Sequence, residues 1–173
     1  MVRELGLPFD PIERAGQLWQ RTWGPSEAMR AATSVFRVQQ LLLARFDEAL
    51  RPHGLTFARY EALVLLRFSR RGELPLKVIG SRLMVHPTSV TNTVDRLTAS
   101  GYVARRPNPA DGRGVLASIT ELGRAVLEDA TADLVRLGFG LASLEDDDLE
   151  QLTRLLGIVR GAAGDFPPPP DKY

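Results

Sequence analysis

The chain has 173 residues, of which 44% are hydrophobic and 25% charged, with a formal net charge of +1 and no cysteine. These values are typical of a soluble globular protein and exclude a disordered or disulfide-stapled chain. No apolar run approaches the roughly 20 residues that span a bilayer, and acids and prolines occupy the place of a signal-peptide core. We therefore expect a cytoplasmic protein with no membrane partner.

The charge is distributed unevenly along the chain. Residues 51–115 carry eleven basic and four acidic side chains, a net charge of +7, whereas residues 116–173 carry five basic and eleven acidic ones, a net charge of −6. A basic middle segment suits a polyanion, and an acidic segment is repelled by one. Residues 51–115 are therefore the candidate contact with nucleic acid.

Helical periodicity predicts three helices in the first part of the chain, over residues 11–23, 27–51 and 57–69. Ser26 and Thr56 are the candidate N-caps of the second and third helices. The apolar positions at core spacing are Val35, Val38, Leu42 and Phe46 in the second helix and Tyr60, Leu63, Val64 and Phe68 in the third.

The next segment reads as two short helices followed by a hairpin. A very short strand over 73–76 and a helix over 76–84, packing through Val78, Ile79 and Leu83, precede a helix over 87–100 that begins at Pro87 and ends before Gly101. Residues 102–106 and 115–119 alternate as strands around a tip of turn formers at 107–114. This order predicts a winged helix-turn-helix, whose second helix enters the major groove of DNA.

The polar face of the helix over 87–100 carries the chemistry for reading bases. Val90, Val94 and Leu97 form its predicted buried stripe. Hydroxyl groups bond to bases or phosphates, and an asparagine can bind adenine through two hydrogen bonds. The exposed candidates are Thr88, Ser89, Thr91, Asn92, Asp95 and Arg96. Of these, Asp95 is expected to pair with a neighbouring arginine, because a carboxylate repels DNA.

The hairpin adds four further candidates for DNA contact. Arg113 lies between two glycines at the tip, where a guanidinium can enter a narrow minor groove, and Asp111 can hold its aim. Arg105 and Arg106 follow the second helix on the first strand of the hairpin. Exposed arginines are often only solvated, so the candidate site rests on the joint pattern of helix face, arginines and tip.

Two helices are predicted in the last part of the chain. Thr120 is the candidate cap of a helix over 121–140, and Ser143 with Asp146 resembles a capping box that opens a helix over 144–163. The acids at 145–148 lie in its first turn, where they oppose the helix dipole. Four prolines at 167–170 predict an extended tail.

The stretch LKVIGSRLMVHPTSVTNTVDRLTASGYVARRPNPADGRGVLASITELGRAVL, residues 76–127, resembles the MarR family of bacterial transcription regulators. The resemblance implies a mainly α fold with a small β-hairpin wing and a homodimer bound to double-stranded DNA at a pseudo-palindromic operator, usually as a repressor. It assigns Arg113 as the wing arginine, Asp111 as its partner, and the start of the 87–100 helix as the base-reading part. The implied segments are an N-terminal extension (1–26), a dimerisation helix (27–55), the DNA-binding domain (56–120), C-terminal dimerisation helices (121–163) and a proline-rich tail (164–173).

The chain departs from common patterns of this family in three places. Asn92 stands where many relatives have arginine, which implies a different operator. The lack of cysteine excludes the branch that senses peroxide through a reactive thiol. The helix bearing Trp19 resembles the urate-responsive branch, but Glu61 and Thr93 stand near the positions where that branch has aspartate and arginine, which speaks against a urate site.

The resemblance also implies a small aromatic effector that binds beside the dimerisation helices and changes the spacing of the two recognition helices. The candidate lining residues are Trp19, Phe36, His53, Phe57, Tyr60 and Glu61, although ordinary core packing explains such residues equally well. No cofactor or metal is expected, and no catalytic motif indicates an enzyme. A winged helix used only for protein contact stays as the alternative.

Overall fold

The computed structural model describes residues 6–109 and 111–167; at Gly112 and Arg113 it describes only the backbone. The chain divides into two compact units, Met1–Gly140 and Leu141–Tyr173, which are treated separately below. The first unit contains six α-helices and a three-stranded antiparallel sheet within its described residues, and the second contains one helix. The predicted mainly α fold with a small hairpin wing is confirmed.

Two helices open the first unit. Helix α1 (Pro11–Trp23) begins at Asp10, whose carboxylate accepts a hydrogen bond from the Ile12 N–H at 2.8 Å. Helix α2 (Glu27–Leu50) is joined to α1 by an ion pair between Glu13 and Arg30. The expectation that the side chain of Ser26 caps α2 is wrong, because this buried residue makes no capping hydrogen bond.

Helix α3 (Phe57–Arg67) follows a short 3-10 helix at Arg51–His53. Thr56 occupies the N-cap position of α3, but its side chain does not cap the helix, contrary to the sequence prediction. Instead, the Asp47 carboxylate on α2 accepts the Phe57 N–H at 2.7 Å. A charged acceptor from a packed neighbour therefore satisfies a donor that the sequence assigned to a local hydroxyl.

The helix-turn-helix and the sheet come next in the chain. Their elements are β1 (Glu73–Pro75), α4 (Leu76–Leu83), α5 (Pro87–Ala99), β2 (Val103–Asn108) and β3 (Asp111–Ile119). Strand β3 lies in the centre of the sheet and pairs antiparallel with both β1 and β2. The two hairpin strands run farther than predicted, because backbone pairing continues into the turn-forming segment at 107–114.

A register shift widens β3 near the end of the hairpin. Pro107 faces Val115, whereas the next residue, Asn108, faces Asp111, so residues 112–114 of β3 lie opposite a single step of β2. Such a bulge turns backbone and side chains out of the regular ladder. The hairpin therefore ends in a bulged strand, where a loop was predicted.

Helix α6 (Glu121–Arg136) begins as predicted at Thr120, whose hydroxyl oxygen accepts the Gly123 N–H at 3.0 Å. It ends four residues before the predicted end, and the short 3-10 helix Gly138–Gly140 follows. The break is a conformational one, because Phe139 adopts a left-handed backbone with φ 49°. Helical periodicity gives no warning of such a turn.

Helix α7 (Asp146–Ala162) forms the second unit. The predicted capping box is wrong, because Glu145 rather than Ser143 occupies the N-cap position and makes no side-chain cap. The three aspartates at 146–148 do lie in the first turn, as expected. Of the proline-rich tail, residues 168–173 lie outside the described residues.

The core of the first unit joins α3, α5 and α6 to the inner side of the sheet and to the end of α2. Its fully buried members include Leu50, Leu63, Leu66, Ile79, Val94, Leu97 and Leu134. Three predicted core positions are wrong: Val35 is 52% exposed, Val38 44% and Phe68 81%. None of the helices in the described part of the chain has both the length and the apolar character needed to cross a membrane.

Candidate nucleic-acid interface

The outward face of α5 is polar because its opposite face anchors the helix in the core. Val90, Val94 and Leu97 are at most 2% exposed, as the sequence predicted. Helix α4 packs close to α5 at Gly80, where an added Cβ would lie 3.0 Å from a methyl carbon of Val90. The residues left on the outer side are all exposed: Thr88, Ser89, Thr91, Asn92, Asp95 and Arg96.

The first turn of α5 uses some of its own polar groups. His86 is the N-cap, and its Nδ1 accepts the Thr88 N–H at 3.3 Å. The Thr91 hydroxyl donates to the Pro87 carbonyl at 3.1 Å. Thr91 therefore offers an outside partner its oxygen lone pairs and its methyl group. The Asn92 side-chain amide has no hydrogen-bond partner among the described residues, so all of it is available for contact.

Both arginines on β2 are held by carboxylates. Arg105 forms an ion pair with Asp95 of α5, which confirms the expectation that this aspartate pairs with a neighbouring arginine. Arg106 donates to both carboxylate oxygens of Glu73 on β1, at 2.9 and 2.8 Å. Glu73 is the residue that sequence reasoning missed, since only the β1-β3-β2 order of the sheet brings it near Arg106.

At the end of the hairpin, the backbone of β3 passes close to neighbouring side chains. Asp111 is exposed at the start of β3. A Cβ added at Gly114 would lie 3.1 Å from an Asp111 carboxylate oxygen and 3.3 Å from the Asn108 side chain, so glycine permits this tight turn. The backbone of Arg113 lies within the bulge, but its side chain is outside the described residues.

A second candidate site is a cavity of about 770 Å³ between α3 and α6. Of the six candidate effector-lining residues, Phe57, Tyr60 and Glu61 lie on this cavity. Sequence reasoning missed the lining residues Val64, Leu65, Arg67, Phe68, Leu83, Leu127, Glu128, Thr131, Val135 and Phe139. Helical spacing can show that α3 has two apolar faces. It cannot show that α6 leaves a cavity open beside one of them.

The other three predicted lining residues lie elsewhere. Trp19 contacts Trp23 on α1, with ring centroids 4.8 Å apart, and Phe36 is 67% exposed on α2. His53 Nε2 lies 2.8 Å from an Asp133 carboxylate oxygen. The hydrogen bond from His53, with one from Arg136, holds the pKa of the Asp133 carboxyl below its usual value. His53 therefore joins the short 3-10 helix after α2 to α6.

Comparison with known proteins agrees with a nucleic-acid interface at this site. A family model described as MarR family matches residues 53–114. The HTH-type transcriptional regulator MhqR of Bacillus subtilis is 30% identical over 114 residues, which are 65% of this chain and 77% of that protein.

Two solved structures from Streptomyces coelicolor extend the comparison to the fold. The MarR family transcriptional regulator Sco5413 is 56% identical, with a TM-score of 0.77 over 82% of this chain and 98% of that chain. A second MarR family regulator, Sco3205, solved in complex with DNA, is 25% identical, with a TM-score of 0.73 over 80% of this chain and 89% of that chain.

Proposed function

This chain belongs to the MarR family of transcription regulators, and we propose that it acts as a homodimeric repressor at a pseudo-palindromic DNA operator. One observation carries this proposal: a polar face of α5, opposite a fully buried apolar face, is exposed over the whole helix. In a winged helix-turn-helix, that face is the one that enters the major groove.

The roles of the individual residues follow from their chemistry. Asn92 has the free amide that distinguishes adenine in the major groove, while Thr88, Ser89 and Thr91 contact phosphates or thymine methyl groups. Arg96, at the far end of the helix, contacts the DNA backbone. The structure supports this division by exposing all five side chains on α5.

The hairpin contacts the adjacent groove. Arg113, carried on the bulge, enters the minor groove, and Asp111 orients it. Arg105 and Arg106 bind phosphates when these displace the carboxylates of Asp95 and Glu73. Because each arginine is already held in place, it loses little side-chain entropy on binding, but a phosphate must compete with a carboxylate.

The dimer presents two copies of α5 to the operator. Its supporting observation is a set of large apolar side chains exposed in a single chain, on α2 at Val35, Phe36, Val38 and Leu41 and separately on α7 at Leu155, Ile158 and Val159. Exposed apolar patches of this kind mark protein interfaces. In the homodimer, the two recognition helices must lie about one helical turn of DNA apart, roughly 34 Å.

We infer that a small aromatic effector binds in the cavity between α3 and α6. Its supporting observation is a largely apolar space, lined by four aromatic rings, of which one wall is α3, the helix that precedes the helix-turn-helix. A ligand that fits only one of two arrangements of α3 and α6 shifts the population toward it. The changed spacing of the recognition helices then weakens operator binding.

Genomic selection tests the proposal. The purified full-length chain is mixed with sheared DNA from its source organism, and the captured fragments are sequenced. We expect a shared inverted repeat with half-sites about one helical turn apart, near the gene's own promoter. We also place the protein with the chromosome in the cytoplasm, which a fluorescent fusion checks. A collection of fragments without a shared repeat would contradict the proposal and favour a winged helix that contacts only proteins.

A further inference from the structure

Two hydroxyl groups line the cavity between α3 and α6, those of Tyr60 and Thr131. The Thr131 hydroxyl donates its proton to the Leu127 carbonyl at 2.7 Å. It therefore accepts the proton of the Tyr60 hydroxyl, whose oxygen lies 3.1 Å away. Both hydroxyl protons are used inside the protein, and what is left for a ligand on the Tyr60 oxygen is an acceptor lone pair.

Two carboxyl groups line the same space, Glu61 from α3 and Glu128 from α6. Within the described part of the chain, the Glu61 carboxyl group has neither a hydrogen-bond partner nor an ion-pair partner. A carboxylate that is partly removed from water without a partner is costly to keep there. Its burial accordingly raises the pKa of the Glu61 carboxyl above its usual value. Unpaired charged groups of this kind in a cleft mark binding sites.

The basic side chain among the lining residues is Arg67, in the last turn of α3. Arg67 is exposed, whereas Glu61 is half-buried. The lining as a whole is therefore acidic by one charge, with the acidic group deeper than the basic one. This arrangement opposes a buried anionic ligand and favours a positive one.

The aromatic rings of the cavity add to this preference. Phe57, Tyr60, Phe68 and Phe139 all line it. The rings of Phe57 and Tyr60 lie with centroids 6.1 Å apart and planes at 24°. The face of an aromatic ring carries negative potential and attracts a cation that comes within about 6 Å. The volume of about 770 Å³ is within the usual range for small-molecule sites.

We propose that this cavity takes a flat hydrophobic amine in its protonated form, with the ammonium group beside Glu61 and the apolar ring against Phe57 and Tyr60. The inference rests on the proposed function, in which this cavity holds the effector. It names the chemical class of that effector as an organic cation.

Three probes of similar size test the class. They share a naphthalene ring and differ in one group: 2-naphthylmethylammonium, 2-naphthalenemethanol and 2-naphthoate. Direct binding to the full-length protein without DNA is measured by isothermal titration calorimetry at pH 7.5. We expect the ammonium probe to bind tightest, the alcohol about tenfold weaker, and the carboxylate weakest, since a hydrogen bond with an ionic partner is stronger than a neutral one by roughly that factor.

Matched variants locate the recognition. Glu61→Gln should lower the affinity for the ammonium probe by about tenfold or more, while the affinity for the alcohol should change by less than about threefold. Glu128→Gln removes the same charge from the exposed wall, so we expect a smaller loss. Arg67→Gln should leave the affinity for the ammonium probe unchanged or slightly higher, because it removes a repulsive charge.

The proposal is overturned if 2-naphthoate binds tightest, with a loss in Arg67→Gln, or if none of the three probes binds. It is also overturned if Glu61→Gln and Glu128→Gln lose affinity for the ammonium probe equally. Operator binding by the unliganded protein is measured in parallel. A protein that binds its operator but not the ammonium probe contradicts only the ligand class, whereas a protein without an operator contradicts the proposed function.

Discussion

At the scale of single residues, a substitution of Asn92 distinguishes contacts to bases from general electrostatic attraction to DNA. Its side chain is exposed on α5, and an amide can distinguish adenine by two hydrogen bonds. We expect Asn92→Ala to lose about 1–3 kcal/mol at one base pair of each half-site and little on non-specific DNA. Binding to a set of single-base operator variants measures this. A uniform loss on every sequence would instead make Asn92 a phosphate contact.

Arg113 makes a different kind of contact. Removing its guanidinium deletes one groove contact per half-site, so Arg113→Ala should weaken operator binding by about 1–3 kcal/mol per half-site without changing the oligomeric state. Fluorescence anisotropy with labelled operator, paired with light scattering, checks both parts. Unchanged affinity would show that the bulged end of β3 is not a DNA contact.

Glu61 also affects how the stability of the ligand-free protein depends on pH. Because burial raises the pKa of this carboxyl, ionisation favours the unfolded chain, and stability falls as the pH rises from the ordinary value of about 4.5 through the raised pKa of the folded chain. Glu61→Gln removes this penalty. The variant should therefore unfold at higher urea concentration than the parent at pH 7, whereas the two should be nearly equal at pH 4. Arg67 and Glu128 line the same cavity, so Glu128→Gln serves as the charge-matched control. A gain at pH 4 equal to that at pH 7 would contradict the account.

At the scale of elements, the start of α6 is fixed by a close contact with the base of the hairpin. A Cβ added at Gly123 would lie 2.2 Å from the Tyr102 carbonyl oxygen, and that oxygen also accepts the Thr120 N–H at 3.0 Å. A backbone atom held in this way cannot move aside cheaply. Glycine at this position thus allows α6 to pack on the wing.

We predict that Gly123→Ala lowers the free energy of unfolding by about 1–3 kcal/mol, as overpacking usually does. Gly157→Ala is the matched control, because an added Cβ there meets nothing within 4 Å inside helix α7. The control should gain about 0.5–1 kcal/mol from helix propensity. Urea denaturation followed by circular dichroism measures both changes. Equal effects in the two variants would refute the close contact.

The sequence predicted most elements because their signals are local. Helix α1 was predicted to its observed bounds, and the buried stripe of α5 was predicted residue by residue, since apolar spacing decides both. Caps were predicted less well. The donor at the start of α3 is satisfied by Asp47, ten residues away, which no local motif signals.

The candidate sites divide in the same way. The polar positions of α5 could be predicted because a buried stripe implies an exposed one. The partner of Arg106 could not, since Glu73 reaches it only through the central strand of the sheet. Half of the expected lining residues do lie on this cavity, because they are on α3, whose periodicity is clear, whereas the opposite wall belongs to α6. Their role in binding an effector stays a prediction.

At the scale of the whole molecule, a dimer explains why α2 exposes large apolar side chains, including Val35, which its periodicity assigns to a core. Phe36 is 67% exposed and Val35 52%. We predict that Phe36→Glu shifts the protein toward monomer and weakens operator binding, because one chain then presents one recognition helix. Met84→Glu, which changes a side chain 79% exposed between α4 and α5, outside the segments expected to dimerise, is the control and should stay dimeric. Light scattering measures the mass. A fully dimeric Phe36→Glu would place the interface elsewhere.

The uneven charge of the chain bears on the central claim, which is specific recognition of an operator. Basic residues concentrate in the segment that holds α4, α5 and the hairpin, and phosphate contacts made by such residues release counterions. Non-specific affinity should therefore fall steeply with salt, while base contacts should preserve the preference for the operator.

The most direct test compares the affinity of the full-length protein for its selected fragment with that for a shuffled fragment of equal length, at two salt concentrations. We predict a preference of about 10³-fold or more for the selected fragment, with both affinities falling as salt rises. Equal affinity for the two fragments at both salt concentrations would contradict specific recognition through α5.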